Sequence, residues 1–170
     1  HIVVPTIPHP GERLTLDGDR YHHLAHVRRY VPGDTIDCTD GDGGRGVLRI
    51  VSDDGRRMIV ETVERGTEDS RRGEGVHLWA ALLKGKKFDL VVRQATELGV
   101  AAVHPVVTAR SVRRPDRGEM RKKTERRRRI AVEASQQSGR TVVPEVYDVT
   151  PVDTLLDVPA SSGGVACAFH

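Results

Sequence analysis

The sequence predicts an α/β unit preceded by an all-β unit. Residues 1–68 alternate short apolar runs with glycine turns, the pattern of a small antiparallel barrel. From residue 76 onward, continuous apolar runs alternate with amphipathic stretches of helical period, the pattern of a parallel sheet with crossover helices. Between them, residues 69–75 are polar and glycine-containing, a linker composition.

In the first unit, Tyr21–Val27 reads as a short helix, followed by a turn at Pro32-Gly33. Strands are expected at Thr35–Thr39, at Val47–Val51 after the glycine turn of 40–46, and at Arg57–Val63 after Asp53-Asp54-Gly55. In the second unit, His77–Leu83 reads as a strand buried on both faces. Phe88, Val91, Val92, Ala95 and Leu98 share one helical face, and Gly99 stops that helix. Ala101–Val107 is a second buried strand, and Met120–Ser138 a long helix ended by Gly139. Val142-Val143 and Val165–Phe169 read as further strands, with a short helix over Pro151–Leu156 between them. The last strand reaches the end of the sequence with no helix to cover it, from which a continuation of the domain beyond residue 170 is expected.

The charge is uneven. Residues 110–129 hold eleven Lys/Arg against three acids, a local excess of +8 in a chain whose net charge is +3, so the rest of the chain carries −5. Such concentration points to a polyanionic partner. Arg126 to Arg129 lie in the helix and read either as a solvated face or as phosphate contacts; the twenty-residue span favours phosphate. With six aromatic residues in the chain, broad base-stacking platforms are not expected, and contacts to backbone and shape should dominate RNA binding. No apolar run has the length of a membrane span, and no secretory signal opens the sequence. Cys38 and Cys167, far apart, read as free thiols of a reducing cytosol.

Several motifs carry less than they first offer. Gly41-x-Gly43-x-x-Gly46 has dinucleotide spacing but precedes a strand, so it reads as a hairpin turn. Asp40 and Asp42 lack the terminal glutamate of a calcium loop. His22 and His26 share a helical face without a third ligand, so no metal is expected. Lys84-Gly85-Lys86-Lys87 is a cationic strand-to-helix loop without the glycine spacing of a P-loop. Ser138 has no neighbouring histidine to suggest a triad. Glu97 and Glu133 read first as ion-pair partners of nearby arginines. Gln136, Gln137, Ser138 and Arg140 stand where a helix meets a strand and read equally as a ligand site or as a helix C-cap.

Three blocks, in this order, resemble the RsmE family of S-adenosylmethionine-dependent enzymes, which methylate N3 of a uridine in 16S ribosomal RNA. The first is His22-His23-Leu24-x-x-Val27-x-Arg29 with Pro32-Gly33-Asp34 and Asp40-Gly41. The second runs from Lys84-Gly85-Lys86 through Gln94–Val100 to Pro105, Thr108, Arg110 and Ser111. The third is Arg129-Ile130-x-x-Glu133-Ala134 through Gln137–Arg140 to Pro144. Arg28 departs from a leucine usual in the family and Arg127 from a common tryptophan.

The resemblance implies a PUA-like β-barrel over 1–68 for RNA, a linker over 69–75, and over 76–170 the N-terminal part of a SPOUT-type methyltransferase domain, an incomplete parallel sheet. The family's Gly-Pro-Glu-Gly-Gly knot and its Leu-Arg-x-Glu-Thr-Ala segment are absent from the 170 residues, so the cofactor-binding residues are expected beyond His170 and the fragment alone is expected to be inactive. The expected partners are 16S rRNA or the 30S subunit in the cytoplasm, with a homodimer once the knot is present. Arg110, Glu97, Gln137, Ser138 and Arg140 are the expected site-shaping residues. His23, Arg29, Lys84, Lys86, Arg113, Arg114, Arg126, Arg127 and Arg128 are the expected RNA contacts. The rival expectation is a module that binds RNA or the ribosome and catalyses nothing.

Overall fold

The computed structural model describes residues 1–67, 75–108 and 117–153. The first unit is a curled five-stranded sheet. Its strands are β1 (Ile2–Val3), β2 (Arg13–Leu16), β3 (Thr35–Thr39), β4 (Gly44–Asp53) and β5 (Met58–Thr67), in the order β1-β3-β4-β5-β2. β3, β4 and β5 form an antiparallel meander, β2 pairs antiparallel with β5, and β1 pairs parallel with β3. Irregularities in the β4–β5 register at Val47/Leu48 and Ile50/Ser52 bend the long hairpin. The inward positions follow the period of two: Ile36 and Cys38 on β3, Leu48 and Ile50 on β4, and Met58 and Val60 on β5 are all buried. Cys38, read as a free thiol, is one and belongs to this core.

Between β2 and β3 lies helix α1 (Gly18–His22), which passes directly into a π-helical turn, His23–Val27. Tyr21 and Leu24 anchor this pair of turns in the core. The sequence pattern found the apolar anchors but not the change of helix type.

The second unit is a parallel sheet made of β6 (His77–Ala81), β7 (Ala102–Val107), β8 (Glu145–Val146) and β9 (Thr150–Pro151). β7 is central; β6 lies on one side, and β8 and β9 pair with its first and last residues on the other strand path. Helices α2 (Lys87–Glu97) and α3 (Arg117–Ser138) cover one face, where Phe88, Val92, Val103, Ala131 and Val146 form the core. Gly99 and Gly139 end the helices at φ 96° and φ 72°, a conformation in which a side chain is strained.

Three sequence expectations are corrected here. β6 is not buried on both faces: Leu78 and Ala80 pack toward the helices, while Trp79 is 37% exposed. Val142-Val143 is not a strand of this sheet; Val142 bridges to Gly41 and Asp42 of the first unit, and the strand comes at 145–146. The helix expected over Pro151–Leu156 starts later: Thr150-Pro151 is a short strand, and a 3₁₀ turn begins at Val152-Asp153. Residues 154–156 of that expected helix, the strand at 165–169, Cys167 and all but Gly75 of the 69–75 linker lie outside the described residues.

The two units meet along a short seam. The Thr39 hydroxyl lies 2.7 Å from the Thr141 carbonyl, Gly43 N–H donates to the same carbonyl at 3.2 Å, and Val143 N–H donates to Gly41 O at 2.9 Å. His1 Nδ1 lies 3.3 Å from Gln136 O. The Gly41–Gly46 motif is thus a hairpin turn, as expected, and also the first unit's contact surface. Asp40 Oδ1 holds its shape by accepting from Asp42 N–H at 2.8 Å and Gly44 N–H at 2.9 Å.

Candidate nucleic-acid interface

α3 is 22 residues long and therefore about 33 Å from end to end. Its buried positions are Thr124, Arg127, Ala131, Ala134 and Ser135, a stripe at spacings of three and four. Small residues in its C-terminal half let it lie close to α2 and the sheet. The outer face carries Arg121, Lys122, Lys123, Arg126, Arg128 and Arg129, all exposed.

Part of this charge is neutralised locally. Lys123 Nζ reaches Glu119 at 2.6 Å, and Arg121 Nε reaches Glu125 at 3.2 Å. Arg126 pairs with Asp89 on α2. Arg128 Nε donates to Val146 O at 3.0 Å, with a terminal nitrogen 3.7 Å from Asp148, so this arginine holds β8 against the helix. Lys122 and Arg129, one heptad apart, make no ion pair among the described residues. These surface pairs are worth little each, and a polyanion can displace them.

Arg127 differs from its neighbours. It is 5% exposed, its guanidinium stands 4.5 Å over the Phe88 ring, and the nearest carboxylate oxygen, on Asp89, is 3.9 Å away. Burial pulls its pKa down, and the Asp89 charge pulls it back up. Among the described residues its Nε and one terminal nitrogen have no hydrogen-bond acceptor. Expected as an RNA contact, Arg127 is instead a flat side chain stacked inside the α2–α3 contact, the kind of place a tryptophan ring would fill.

Lys84 and Lys86 are exposed on the loop from β6 to α2, with Gly85 at φ 64°. That loop lies at the C-terminal end of β6, the edge where open parallel sheets place ligands. The opposite edge holds the residues expected to shape a site. Arg140 donates to Thr96 O at 2.7 Å and to Val100 O at 3.1 Å, closing the C-terminus of α2. Ser138 Oγ donates to Ala134 O at 2.7 Å within the last turn of α3. Of the two readings open for this cluster, the geometry gives Arg140 and Ser138 the capping role. Glu97 and Gln137 are exposed at the same helix ends. Among the described residues, neither Glu97 nor Glu133 forms the ion pair expected of it. Arg110, Arg113 and Arg114 lie outside the described residues.

On the first unit, His23 is half-buried and its carbonyl accepts from Arg28 N–H at 3.0 Å inside the π turn. Arg29 is exposed and has φ 57°. No group of three or more metal-ligating side chains occurs among the described residues.

Sequence reasoning missed an aromatic stack on the sheet face away from the helices. Trp79, His104 and Tyr147, from β6, β7 and the end of β8, stack with centroid spacings of 3.9 Å and 4.3 Å and interplanar angles of 11°. His77 Nδ1 lies 3.1 Å from His104 Nε2. Burial, then the neighbouring His77, pushes the His104 pKa down. The register Trp79↔His104 aligns these rings, and no sequence signal gives register between strands so far apart.

An RNA methyltransferase domain family matches residues 71–169, and an RNA methyltransferase PUA domain family matches residues 16–63. The chain belongs to the ribosomal RNA small subunit methyltransferase E family. It is 34% identical over 143 residues to the protein of that name from Bacillus subtilis (strain 168), covering 84% of this chain and 56% of that one. The Mycobacterium bovis protein of the same name is 32% identical, covering 92% of this chain and 57% of that one. The chain thus spans about half the length of the curated relatives it matches. Among solved structures, the Neisseria gonorrhoeae ribosomal RNA small subunit methyltransferase E bound to S-adenosyl methionine has a TM-score of 0.81 at 27% identity, over 92% of this chain and 66% of that one. A Legionella pneumophila protein solved with bound SAM has a TM-score of 0.84 at 26% identity, over 92% of this chain and 64% of that one. The two-part architecture read from the sequence, an RNA methyltransferase PUA-type sheet followed by a SPOUT-type parallel sheet, is the one observed.

Proposed function

We propose that the protein to which this sequence belongs transfers a methyl group from S-adenosylmethionine to N3 of a uridine in 16S ribosomal RNA, on naked rRNA or the 30S subunit, in the cytoplasm and as a homodimer. The observation that carries the reading is the pairing of family membership with a basic outer face on α3, whose Arg126 pairs with Asp89 in the first turn of α2. The described residues at that edge do not themselves fit the cofactor. A sulfonium and an adenosine ribose call for acceptors, whereas the side chains of Lys84, Lys86 and Lys87 offer only donors, and the Asp89 carboxylate in the first turn of α2 is engaged by Arg126. No step is therefore routed through the cofactor on these residues.

What this chain supplies in the reading is RNA positioning. Lys122, Arg126 and Arg129, with Lys84 and Lys86, meet phosphates near the sheet edge, and Arg110 is retained as a residue that positions the substrate. Holding the base in line with a methyl donor is an orientation problem, and electrostatic anchoring of the backbone on both sides of the target supplies it. A uridine inside a helix must also leave its stack. Glu97 and Gln137 stay as proposals for shaping the site; Arg140 and Ser138 act through the caps they make.

The test is incubation of the full-length protein with methyl-labelled cofactor and 30S particles. Label in 16S rRNA at uridine N3 is expected. Unlabelled rRNA with the protein still bound favours the second reading, an RNA-binding module without catalysis.

A further inference from the structure

The turn His22–Arg29 is built in a way that the stability of the first unit does not explain. α1 widens into a π turn at His23–Val27, a rare form that recurs at functional sites. Tyr30 N–H then donates to Leu24 O at 3.1 Å, and Arg29 between them takes φ 57°. This is the left-handed position after a helix, where glycine is the usual residue and a long side chain is strained. The interior half of the turn is fixed, since Leu24 and Tyr21 are buried. The exterior half presents His22, His26, Arg28 and Arg29, all exposed. The His22 and His26 rings stand 5.1 Å apart, and the edge of one ring meets Tyr21, whose centroid is 5.7 Å from that of His26. Among the described residues neither the Arg28 nor the Arg29 guanidinium has an ion pair or hydrogen bond. Strain is thus accepted at a residue whose side chain does nothing for the fold.

We infer that this turn is the first unit's RNA-contact element, with the Arg28 and Arg29 guanidiniums on backbone phosphates and the His22–His26 imidazole pair against an unstacked base. The inference rests on the RNA-directed function proposed above and gives the β unit a specific grip of its own. Guanidinium forks suit phosphate oxygens, and an imidazole face suits a base exposed in a loop or junction. His23, whose side chain is half-buried, is replaced in this role by its two neighbours on the exposed side.

The test compares Arg29→Gly, Arg29→Lys and the double variant His22→Ala/His26→Ala in the full chain, using in vitro transcribed 16S rRNA as probe across a salt series, with thermal melting measured in parallel. Arg29→Gly removes the strain and the contact together. It is expected to melt at the same or a higher temperature, to bind RNA about tenfold more weakly, and to reduce the salt slope by about 1. Arg29→Lys is expected to recover most of the affinity, and the histidine double variant to lose at least about fivefold. An Arg29→Gly variant with parental affinity and salt slope overturns the inference, as does an affinity loss that follows a fall in melting temperature and is not recovered by lysine. A parent chain that binds no RNA overturns the proposed function itself, which separates the two failures.

Discussion

The Thr39 hydroxyl lies 2.7 Å from the Thr141 carbonyl, joining the curled sheet to the parallel one across 102 residues of sequence. The same oxygen is 2.7 Å from Gly44 O and accepts from Gly41 N–H at 3.1 Å. A hydroxyl has one proton, so it is shared between two carbonyls, and a fully buried side chain serves both the hairpin turn and the seam. Thr39→Val keeps the shape and removes the donor and acceptor. It should lower the unfolding free energy by about 1–3 kcal/mol, whereas Thr39→Ser should lower it by less. Chemical denaturation of both variants checks this.

Gly41 makes the closest backbone approach in that seam. At φ +82°, a Cβ there would stand 3.2 Å from Val143 Cγ2. Gly41→Ala should destabilise by about 1–2 kcal/mol, and Val143→Ala in the same chain should return only the steric part. Gly33→Ala, at φ +100° with open space around it, isolates the conformational part. Equal costs at Gly33 and Gly41 would show that the contact with Val143 contributes nothing.

Arg127 should tolerate loss of charge better than loss of volume. Arg127→Leu removes guanidinium nitrogens that are buried without acceptors and should be neutral or stabilising. Arg127→Ala should cost about 2 kcal/mol or more through the cavity left beside Phe88. Asp89→Asn, which leaves both Arg126 and Arg127 without a carboxylate, should destabilise as well. Melting curves for the three variants give the order.

Much of this architecture was legible in the sequence. The period of two in Ile36/Cys38 and Leu48/Ile50 marks the β unit, and Phe88, Val92 and Ala95 mark α2 because burial imposes those spacings. What escaped depends on relations between distant residues. Nothing in Val142-Val143 says that it meets Gly41 instead of joining the parallel sheet, and nothing in a run of four arginines says that Arg127 points inward while Arg126, Arg128 and Arg129 point out. Helical phase makes the last distinction, and with so few apolar residues between Arg117 and Arg129 the phase was hard to read. The Gln136–Arg140 cluster stays open in sequence between ligand site and C-cap, and what favours the cap for Ser138 and Arg140 is a relation between distant residues, Arg140 donating to Thr96 O and Val100 O.

Two titrations should appear in the stability of the folded chain. His104 has its pKa lowered from 6.5 by burial and by His77, so the unfolded chain takes up a proton more readily. Its contribution is present above pH 6.5 and is lost as pH falls through the folded value. Cys38 has its pKa raised by burial to about 11, so its contribution is complete below the unfolded value near 9 and is lost as pH rises toward 11. Denaturation midpoints against pH for His104→Gln and Cys38→Ala should be flatter than the parent on the acid and alkaline sides respectively. Parent-like slopes on either side would contradict the corresponding assignment.

The most direct measurement of what this chain does is the affinity of the full chain for 16S rRNA as a function of salt, before and after Lys122→Glu/Arg129→Glu on the outer face of α3. Both side chains are exposed and outside the core, so the fold should persist. The account predicts a steep fall in affinity with salt for the parent, with the slope reduced by about 2 and the affinity lowered at all salt concentrations in the variant. Parental affinity and slope in the charge-reversed chain would contradict it.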